Sequence, residues 1–244
     1  MESFLYYVWR AFLKPLSVCG MCALTVGSAF SHDPSSLIKR MAGFTSVEGV
    51  APSEDRPIVF PDTANHQTLV LDLHTHSVFS DGHVWPNIRV AEAIKDGLDG
   101  LAITEHLEIQ PHRRDILHPD RNRAFEIASA TATGSNLLII PGSETTRRMP
   151  VGHINAVFIT DANELLLPNH AEFSKDDNST FRSLAREWPA QKALDAAAKQ
   201  GAFLFWNHPY STRQFSTGKA ELSDFHIANI KANKLHGIEI ANGK

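Results

Sequence analysis

The sequence predicts an α/β protein built as a distorted β/α barrel. From Thr68 onward, short apolar runs typical of strands alternate with segments of helical periodicity, which is the pattern of a parallel β/α architecture. Histidine and carboxylate residues stand at or beside the ends of these runs, where β/α barrels place their active sites. The chain has 244 residues, of which 43% are hydrophobic, so it can bury a sizeable core.

The charge balance argues against one class of partner. The formal net charge is -4, and no run of Lys or Arg interrupts the sequence. A nucleic-acid-binding surface usually needs a basic excess. We therefore expect no nucleic-acid partner.

The first 31 residues predict a signal peptide. Arg10 and Lys14 precede an uncharged stretch, Leu16–Phe30, which ends in small residues, as signal peptides do. A spanning helix needs roughly 20 apolar residues, so an uncleaved membrane anchor is the less favoured alternative. We expect cleavage near residues 29–31, a secreted or periplasmic protein, and no stable membrane association after cleavage.

The leader also contains both cysteines, Cys19 and Cys22. The mature protein would then have neither disulfides nor thiolate metal ligands. Residues 32–67 are rich in Ser, Pro, Asp and Gly and predict an irregular N-terminal arm. The arm leads into one domain, residues 68–244.

The elements of this domain follow from apolar runs and from helix-ending residues. Pro86 opens a first predicted helix and Gly97 ends it. Two more helices are predicted over Arg121–Ala132 and Pro189–Gln200, and the polar stretch Asn163–Thr180 predicts a surface excursion. The predicted strands are Thr68–Leu73, Gly100–Thr104, Asn136–Ile140, His153–Thr160, Ala202–Trp206 and Gly237–Ile240.

The first strand carries a pair of candidate metal ligands, His74 and His76. Residues two apart on a strand point to the same side, so two imidazoles here can share one metal ion. Asp81 follows in the turn formed by Ser80, Asp81 and Gly82. A lone pair of histidines at this spacing is weak evidence, but the pair followed by this turn is much more specific.

Later strands each add one further candidate ligand. His106 ends the second strand, Glu144 the third and His208 the fifth, while His153 starts the fourth. Each residue taken alone fits a structural or solvated position. Because five successive strands deliver a ligand-type residue to one edge of the barrel or to the loop beside it, the set predicts a shared metal centre.

These motifs resemble those of the polymerase-and-histidinol-phosphatase (PHP) family over about residues 68–244. The resemblance implies a seven-stranded (β/α)7 TIM-like barrel that holds up to three divalent metal ions and hydrolyses phosphate esters. The motifs that carry it are Asp72–Ser77, Ser80–Gly82, Ile103–His106, Gly142–Glu144, Gly152-His153, Asn207–Pro209 and Gly237–Ile240.

The resemblance also implies a set of ligands and one more strand. A final Asp-x-His is expected on the seventh strand, and the printed sequence contains no such pair. We therefore expect a barrel without its last strand, a sequence that is part of a longer one, and two metal sites that each lack a ligand. The implied groups are His74, His76 and Glu144 for a first ion, Glu144, His153 and His208 for a second, and Asp81 and His106 for a third.

The residues after Glu144 predict how a phosphate would be bound. Arg147 and Arg148 can each donate bidentate hydrogen bonds to phosphate oxygens, and Tyr210 follows the last histidine motif. We predict Glu144 and Arg147 as catalytic residues, and Arg147, Arg148 and Tyr210 as substrate-binding residues. The partner would be a small-molecule phosphate ester.

The nature of the metal and of the reaction leaves alternatives open. Imidazole and carboxylate ligands suit Zn, Mn or Fe(II) and do not choose among them. The leading hypothesis is phosphate ester hydrolysis by a metal-activated water. One alternative is an amidohydrolase-type C–N hydrolase, although such barrels usually add a bridging lysine and no lysine ends a strand here. The other is a non-catalytic metal-binding remnant.

Overall fold

A computed structural model describes residues 58–116, 119–168, 170, 178–209 and 221–242. The predicted signal peptide, most of the predicted arm and Tyr210 lie outside the described residues. Within the described part of the chain, no helix has the length and apolar character needed to cross a membrane.

The described residues form a single six-stranded sheet in the order β1-β2-β3-β4-β5-β6. A short 3-10 helix, Ala162–Leu165, follows β4. The strands are β1 (Leu71–Thr75), β2 (Gly100–Ile103), β3 (Leu138–Thr146), β4 (His153–Val157), β5 (Phe203–Trp206) and β6 (Gly237–Ile238). The helices are α1 (Pro86–Asp96), α2 (Arg123–Thr131), α3 (Asn178–Glu187), α4 (Ala190–Lys199) and α5 (Asp224–Lys231).

The sheet is mixed, so the predicted parallel β/α architecture is confirmed only in part. β1, β2 and β3 pair in parallel, as do β5 and β6, but β4 runs antiparallel to both of its neighbours. Only residues 147–152 separate β3 from β4, whereas a parallel crossover needs a dozen residues or more. The short link makes a hairpin, so the first residue of β4 lies at the edge where β1, β2 and β3 end.

The curled sheet corresponds to part of a TIM-like barrel. Six of the seven strands that the motifs imply are present among the described residues, each in the expected place along the chain. Among these residues, no pairing joins β6 to β1. The predicted fold class is therefore confirmed at the level of a partial barrel.

Side chains alternate between two faces of the sheet, and each face is buried. On β2, Leu101 and Ile103 pack against α1 and α2, while Ala102 packs with Ile140 and Val157 on the opposite face. All four residues of β2 are buried, which explains the continuous apolar run in the sequence. A larger cluster packs the second half of the sheet against α3 and α4, and Trp206, Phe181, Leu194, Leu204 and Leu165 belong to it.

The three predicted helices form close to their predicted bounds. Pro86 occupies the first turn of α1, and Gly97 ends it with a left-handed φ of 73°, a conformation that glycine adopts without a steric penalty. α2 and α4 are each shorter at both ends than predicted.

Two helices and one buried segment were not predicted. α3 buries Phe181 and Ala185, four residues apart, in an otherwise polar sequence. α5 buries the polar residues His226 and Asn229 and exposes Ile227, so the spacing of its apolar residues does not indicate which face is buried. The predicted surface excursion is wrong in part, because Leu165 and Leu166 inside it are buried in the core.

Candidate metal centre

Glu144 lies at the centre of the candidate site, with its carboxylate fully buried. Its Oε2 lies 3.0 Å from His74 Nε2 and 3.1 Å from His76 Nε2, and the two imidazole nitrogens are 3.1 Å apart. Ligands about 2.0–2.1 Å from a tetrahedral ion would be separated by about 3.3 Å. The three atoms therefore form a triangle of a size that fits one metal ion.

The other carboxylate oxygen of Glu144 faces different histidines. Oε1 lies 2.6 Å from His153 Nδ1, 3.5 Å from His106 Nδ1 and 3.9 Å from His208 Nε2. Oε1 and His153 Nδ1 are both buried, yet neither atom is aligned for a hydrogen bond. Buried polar atoms are normally paired, so a cation shared by these atoms would satisfy both. Glu144 therefore belongs to two of the groups whose ligand atoms lie close enough together to hold a metal ion, one with His74 and His76 and one with His106 and His153.

Asp81 and His106 come together at the rim of the same cluster. His106 Nε2 lies 3.3 Å from Asp81 Oδ1, and its Nδ1 lies 2.5 Å from Thr146 Oγ1. The His106 ring stacks on the His76 ring, with their centroids 4.5 Å apart. His76, Asp81 and His106 form one of the groups whose ligand atoms lie close enough together to hold a metal ion.

The turn that carries Asp81 is fixed by a buried carboxylate. The hydroxyls of Ser77 and Ser80 both donate to Glu105, and the Ser77 backbone N–H donates to the same side chain at 2.9 Å. Gly82 closes the turn against the backbone of His76, with no room for a side chain. These contacts explain why serine and glycine flank Asp81.

Gly82→Ala is expected to displace this turn. A Cβ at residue 82 would lie 2.5 Å from the His76 carbonyl oxygen, well inside van der Waals contact, so the backbone would have to move. We expect the variant to bind less metal per chain, because the group that includes Asp81 is disturbed while the metal held by Glu144 and His153 is retained. Metal analysis after gel filtration measures the metal content. A full metal complement in Gly82→Ala would show that the site does not need Asp81 in its present position.

His208 and a residue missed in the sequence, Glu239, complete the far side of the cluster. His208 has a φ of 30°, which is rare for a residue with a side chain. Its backbone N–H donates to Glu239 Oε2 at 2.6 Å, and Glu239 Oε1 lies 2.9 Å from His74 Nδ1. Glu239 follows β6 directly, so the rule that located the other ligands at strand ends would have found it.

The charged groups in the cluster shift one another's pKa values strongly. Burial lowers the pKa of His74, but contacts with Glu144 and Glu239 outweigh it and raise that pKa to about 9. Burial, together with the nearby His153 and His74, lowers the pKa of His208 to about 4. Burial alone would raise the pKa of Glu144, but the surrounding histidines hold it well below its usual range. Without metal at neutral pH, His74 is therefore protonated and His208 is neutral.

The guanidinium of Arg147 is occupied by contacts with other residues of the protein. Its guanidinium pairs with the fully buried Glu108 and donates to the carbonyl oxygen of Trp188 at 2.8 Å. Glu108 also accepts the Thr146 backbone N–H at 2.8 Å. These contacts argue against the predicted catalytic and phosphate-binding roles of Arg147, because both terminal nitrogens of its guanidinium already contact protein oxygens.

Arg148 differs from its neighbour because its side chain is exposed in the link between β3 and β4. That link joins β3, which carries Glu144, to β4, which begins at His153. The structure thus leaves Arg148 as the predicted phosphate-binding residue whose position remains compatible with the role. Tyr210 lies outside the described residues and stays a prediction.

The comparisons with known proteins agree with this geometry. Neither a family model nor a curated protein matches the chain. A crystal structure of a two-domain protein from Bacteroides vulgatus ATCC 8482, containing a predicted PHP-like metal-dependent phosphoesterase, is 40% identical, with a TM-score of 0.65 over 76% of this chain and 48% of that one. The chain thus spans about half the length of that protein.

Two more distant structures are also similar. A proposed metal-dependent phosphoesterase from Bifidobacterium adolescentis is 18% identical, with a TM-score of 0.48 over 71% of this chain and 77% of that one. An amidohydrolase from Chromobacterium violaceum, solved with sulfate and no metal, is 17% identical, with a TM-score of 0.40 over 69% of this chain and 75% of that one. At such values neither carries an argument about function.

The fold and the cluster define a TIM-like α/β protein with a histidine and carboxylate centre suited to metal ions. More particularly, the chain is similar, over 76% of its length, to a Bacteroides vulgatus protein that contains a predicted PHP-like metal-dependent phosphoesterase, which agrees with the resemblance that its motifs predicted.

Proposed function

We propose that this chain hydrolyses phosphate esters of a small molecule with the help of divalent metal ions. One observation carries the proposal: the two oxygens of the buried Glu144 face separate sets of imidazoles. Burying a lone carboxylate is costly unless cations or hydrogen bonds compensate it. The likeness to a two-domain protein that contains a predicted PHP-like metal-dependent phosphoesterase supports the choice of reaction.

Zn²⁺, Mn²⁺ or Fe²⁺ would be held by the predicted ligands in up to three groups. Bound ions supply Lewis acidity for the phosphoryl oxygens and lower the pKa of water. The residues themselves orient the site: Thr146 Oγ1 lies 2.5 Å from His106 Nδ1, and Glu105 fixes the turn that presents Asp81. Arg148, which is exposed in the link between β3 and β4, is proposed to bind the phosphate.

The proposal can be tested with the whole chain after metal removal. The protein is reloaded with each ion in turn and assayed with an aryl phosphate monoester, an aryl phosphate diester and an aryl anilide. We expect metal-dependent release of phenol from at least one phosphate ester and none from the anilide. Turnover of the anilide alone would favour the C–N hydrolase alternative, and tight metal binding without any turnover would favour a non-catalytic metal-binding protein.

Metal affinity is expected to rise with pH. Because the pKa of His74 is raised to about 9 in the metal-free protein, the proton on His74 competes with the ion below that pH. Ligand histidines must lose their proton to bind metal, so the affinity should increase by up to about tenfold per pH unit until about pH 9. His208, with its pKa lowered to about 4, is already neutral at neutral pH, so no proton on its ring competes with the ion there.

Chelator competition at pH 6, 7, 8 and 9 measures this dependence. Metal occupancy should also be lost on acidification below about pH 6.5, where free histidines become charged. An affinity that stays constant from pH 7 to pH 9 would exclude His74 as a ligand.

We further propose that the protein is exported, in keeping with the signal peptide predicted over residues 1–31. N-terminal sequencing of protein recovered from the periplasm or medium would test this. A new N-terminus near residues 29–31 is expected, and an intact Met1 in the cytoplasm would contradict it.

A further inference from the structure

Glu239 contacts two candidate metal ligands at once. Its Oε1 lies 2.9 Å from His74 Nδ1, and its Oε2 accepts the backbone N–H of His208 at 2.6 Å. Asn242 Nδ2 donates to Oε1 at 3.1 Å. The side chain is only 12% exposed, so these partners, rather than water, determine its orientation.

The sheet places Glu239 where it can hold both histidines. β6 pairs with β5 through Phe205 with Gly237 and Trp206 with Ile238, and the Glu239 backbone N–H donates to the Trp206 carbonyl oxygen at 2.8 Å. Glu239 therefore lies beside the end of β5, next to the turn that contains His208. The backbone of Glu239 is therefore fixed by the sheet, independently of the contacts that its carboxylate makes with the two histidines.

The contact between Glu239 and His74 determines which imidazole nitrogen of His74 has a lone pair available for a metal ion. His74 Nε2 lies 3.0 Å from Glu144 Oε2, inside the triangle that fits an ion, while Nδ1 points at Glu239. A carboxylate at Nδ1 keeps the proton there and leaves the lone pair on Nε2. Carboxylates behind ligand histidines commonly fix the tautomer and ring orientation in this way.

The contact with His208 acts on the backbone. The φ of 30° at His208 is a sparsely populated conformation that costs free energy and persists only where other contacts enforce it. The short hydrogen bond to Glu239 is one such contact. It holds the His208 ring near the cluster, with its centroid 5.5 Å from that of His74.

From these contacts we propose that Glu239 is a positioning residue of this metal centre, holding His74 in its Nδ1–H tautomer and His208 in its strained backbone conformation. The inference rests on the proposed function only in assuming that the cluster binds metal. The alternative that the test must separate is direct binding, since the ligand atoms of His74, His208 and Glu239 lie close enough together to hold an ion. In that case His74 Nδ1 would carry no proton.

Histidine NMR of the zinc-loaded chain separates these two roles. If Glu239 positions His74, a hydrogen-bonded Nδ1–H resonance of His74 is present in the wild type, lost in Glu239→Ala, and retained or only shifted in Glu239→Gln, whose amide oxygen can still accept. A His74 whose Nδ1 bears no proton in the zinc-loaded wild type would overturn the proposal.

Zinc affinity, measured by chelator competition, gives a second readout. Loss of an outer partner of a metal ligand typically weakens affinity by about 10–100-fold, and we expect a loss in that range for Glu239→Ala and a smaller one for Glu239→Gln. The matched control is Glu126→Ala, which removes a glutamate that pairs with Arg123 on the surface of α2. It should bind zinc as the wild type does.

The outcomes also separate this inference from the proposed function. Wild-type zinc binding that depends on Glu239, without turnover of any phosphate ester, would support the positioning role and contradict only the proposed reaction. Phosphate ester turnover together with unchanged zinc affinity in both Glu239 variants would overturn the positioning role alone. Circular dichroism of the metal-free Glu239→Gln variant shows whether the fold is kept, so that a loss of affinity is assigned to the site.

Discussion

Glu144→Ala is expected to abolish turnover and to remove more bound metal than any other single substitution in the cluster. Both oxygens of this buried carboxylate face imidazole nitrogens, so one change deprives two groups of ligands of their negative charge. The loss of affinity should exceed the about 10–100-fold typical of an outer partner. Metal analysis of the purified variant, together with an aryl phosphate assay, measures both effects.

His153→Ala is the informative comparison for Glu144→Ala. His153 Nδ1 lies 2.6 Å from Oε1, whereas His74 and His76 face Oε2, so loss of His153 should affect one metal group and leave residual binding at the other. Glu126→Ala on the surface of α2 serves as the control for removing a glutamate as such. If His153→Ala lost as much metal as Glu144→Ala, the bridging role of Glu144 would be contradicted.

Arg147→Met is expected to destabilise the fold rather than to weaken substrate binding alone. The substitution leaves Glu108 fully buried without its cation, and removing one partner of a buried ion pair typically costs ~3–5 kcal/mol. That is a large part of the ~5–15 kcal/mol by which domains are stable. Urea denaturation of the metal-free protein gives the free energy of unfolding directly.

The adjacent arginine provides the matched control. Arg148 is exposed, so Arg148→Met should change the free energy of unfolding by no more than about 0.5 kcal/mol while raising the KM for a phosphate ester. The reverse pattern, with a stable Arg147→Met variant of raised KM, would restore the phosphate-binding role that the sequence predicted for Arg147.

The contrast between these arginines shows where sequence reasoning reaches its limit. Both follow Glu144 and carry the same charge, and nothing local distinguishes them. The difference arises from Glu108, distant in sequence, which is buried beside the β3–β4 link and attracts Arg147. A tertiary partner of this kind leaves no periodic signal in the chain.

Most of the candidate ligands were predictable because they stand at or just after strand ends, and parallel strands end at one edge of the sheet. His153 lies at that edge for a different reason, since it begins an antiparallel strand, a reversal that the short link after β3 could have indicated. Glu239 was missed although the same rule applies to it. α5 was missed because its buried residues, His226 and Asn229, are polar.

Anomalous diffraction from crystals of the chain grown with Zn²⁺ or Mn²⁺ tests the central claim most directly. The structure predicts an anomalous peak at the metal edge among His74 Nε2, His76 Nε2 and Glu144 Oε2, with a further peak on the Oε1 side of Glu144 near His153. Ions found only at surface carboxylates, with the Glu144 cluster free of any peak at saturating metal, would contradict the assignment of this cluster as a metal centre.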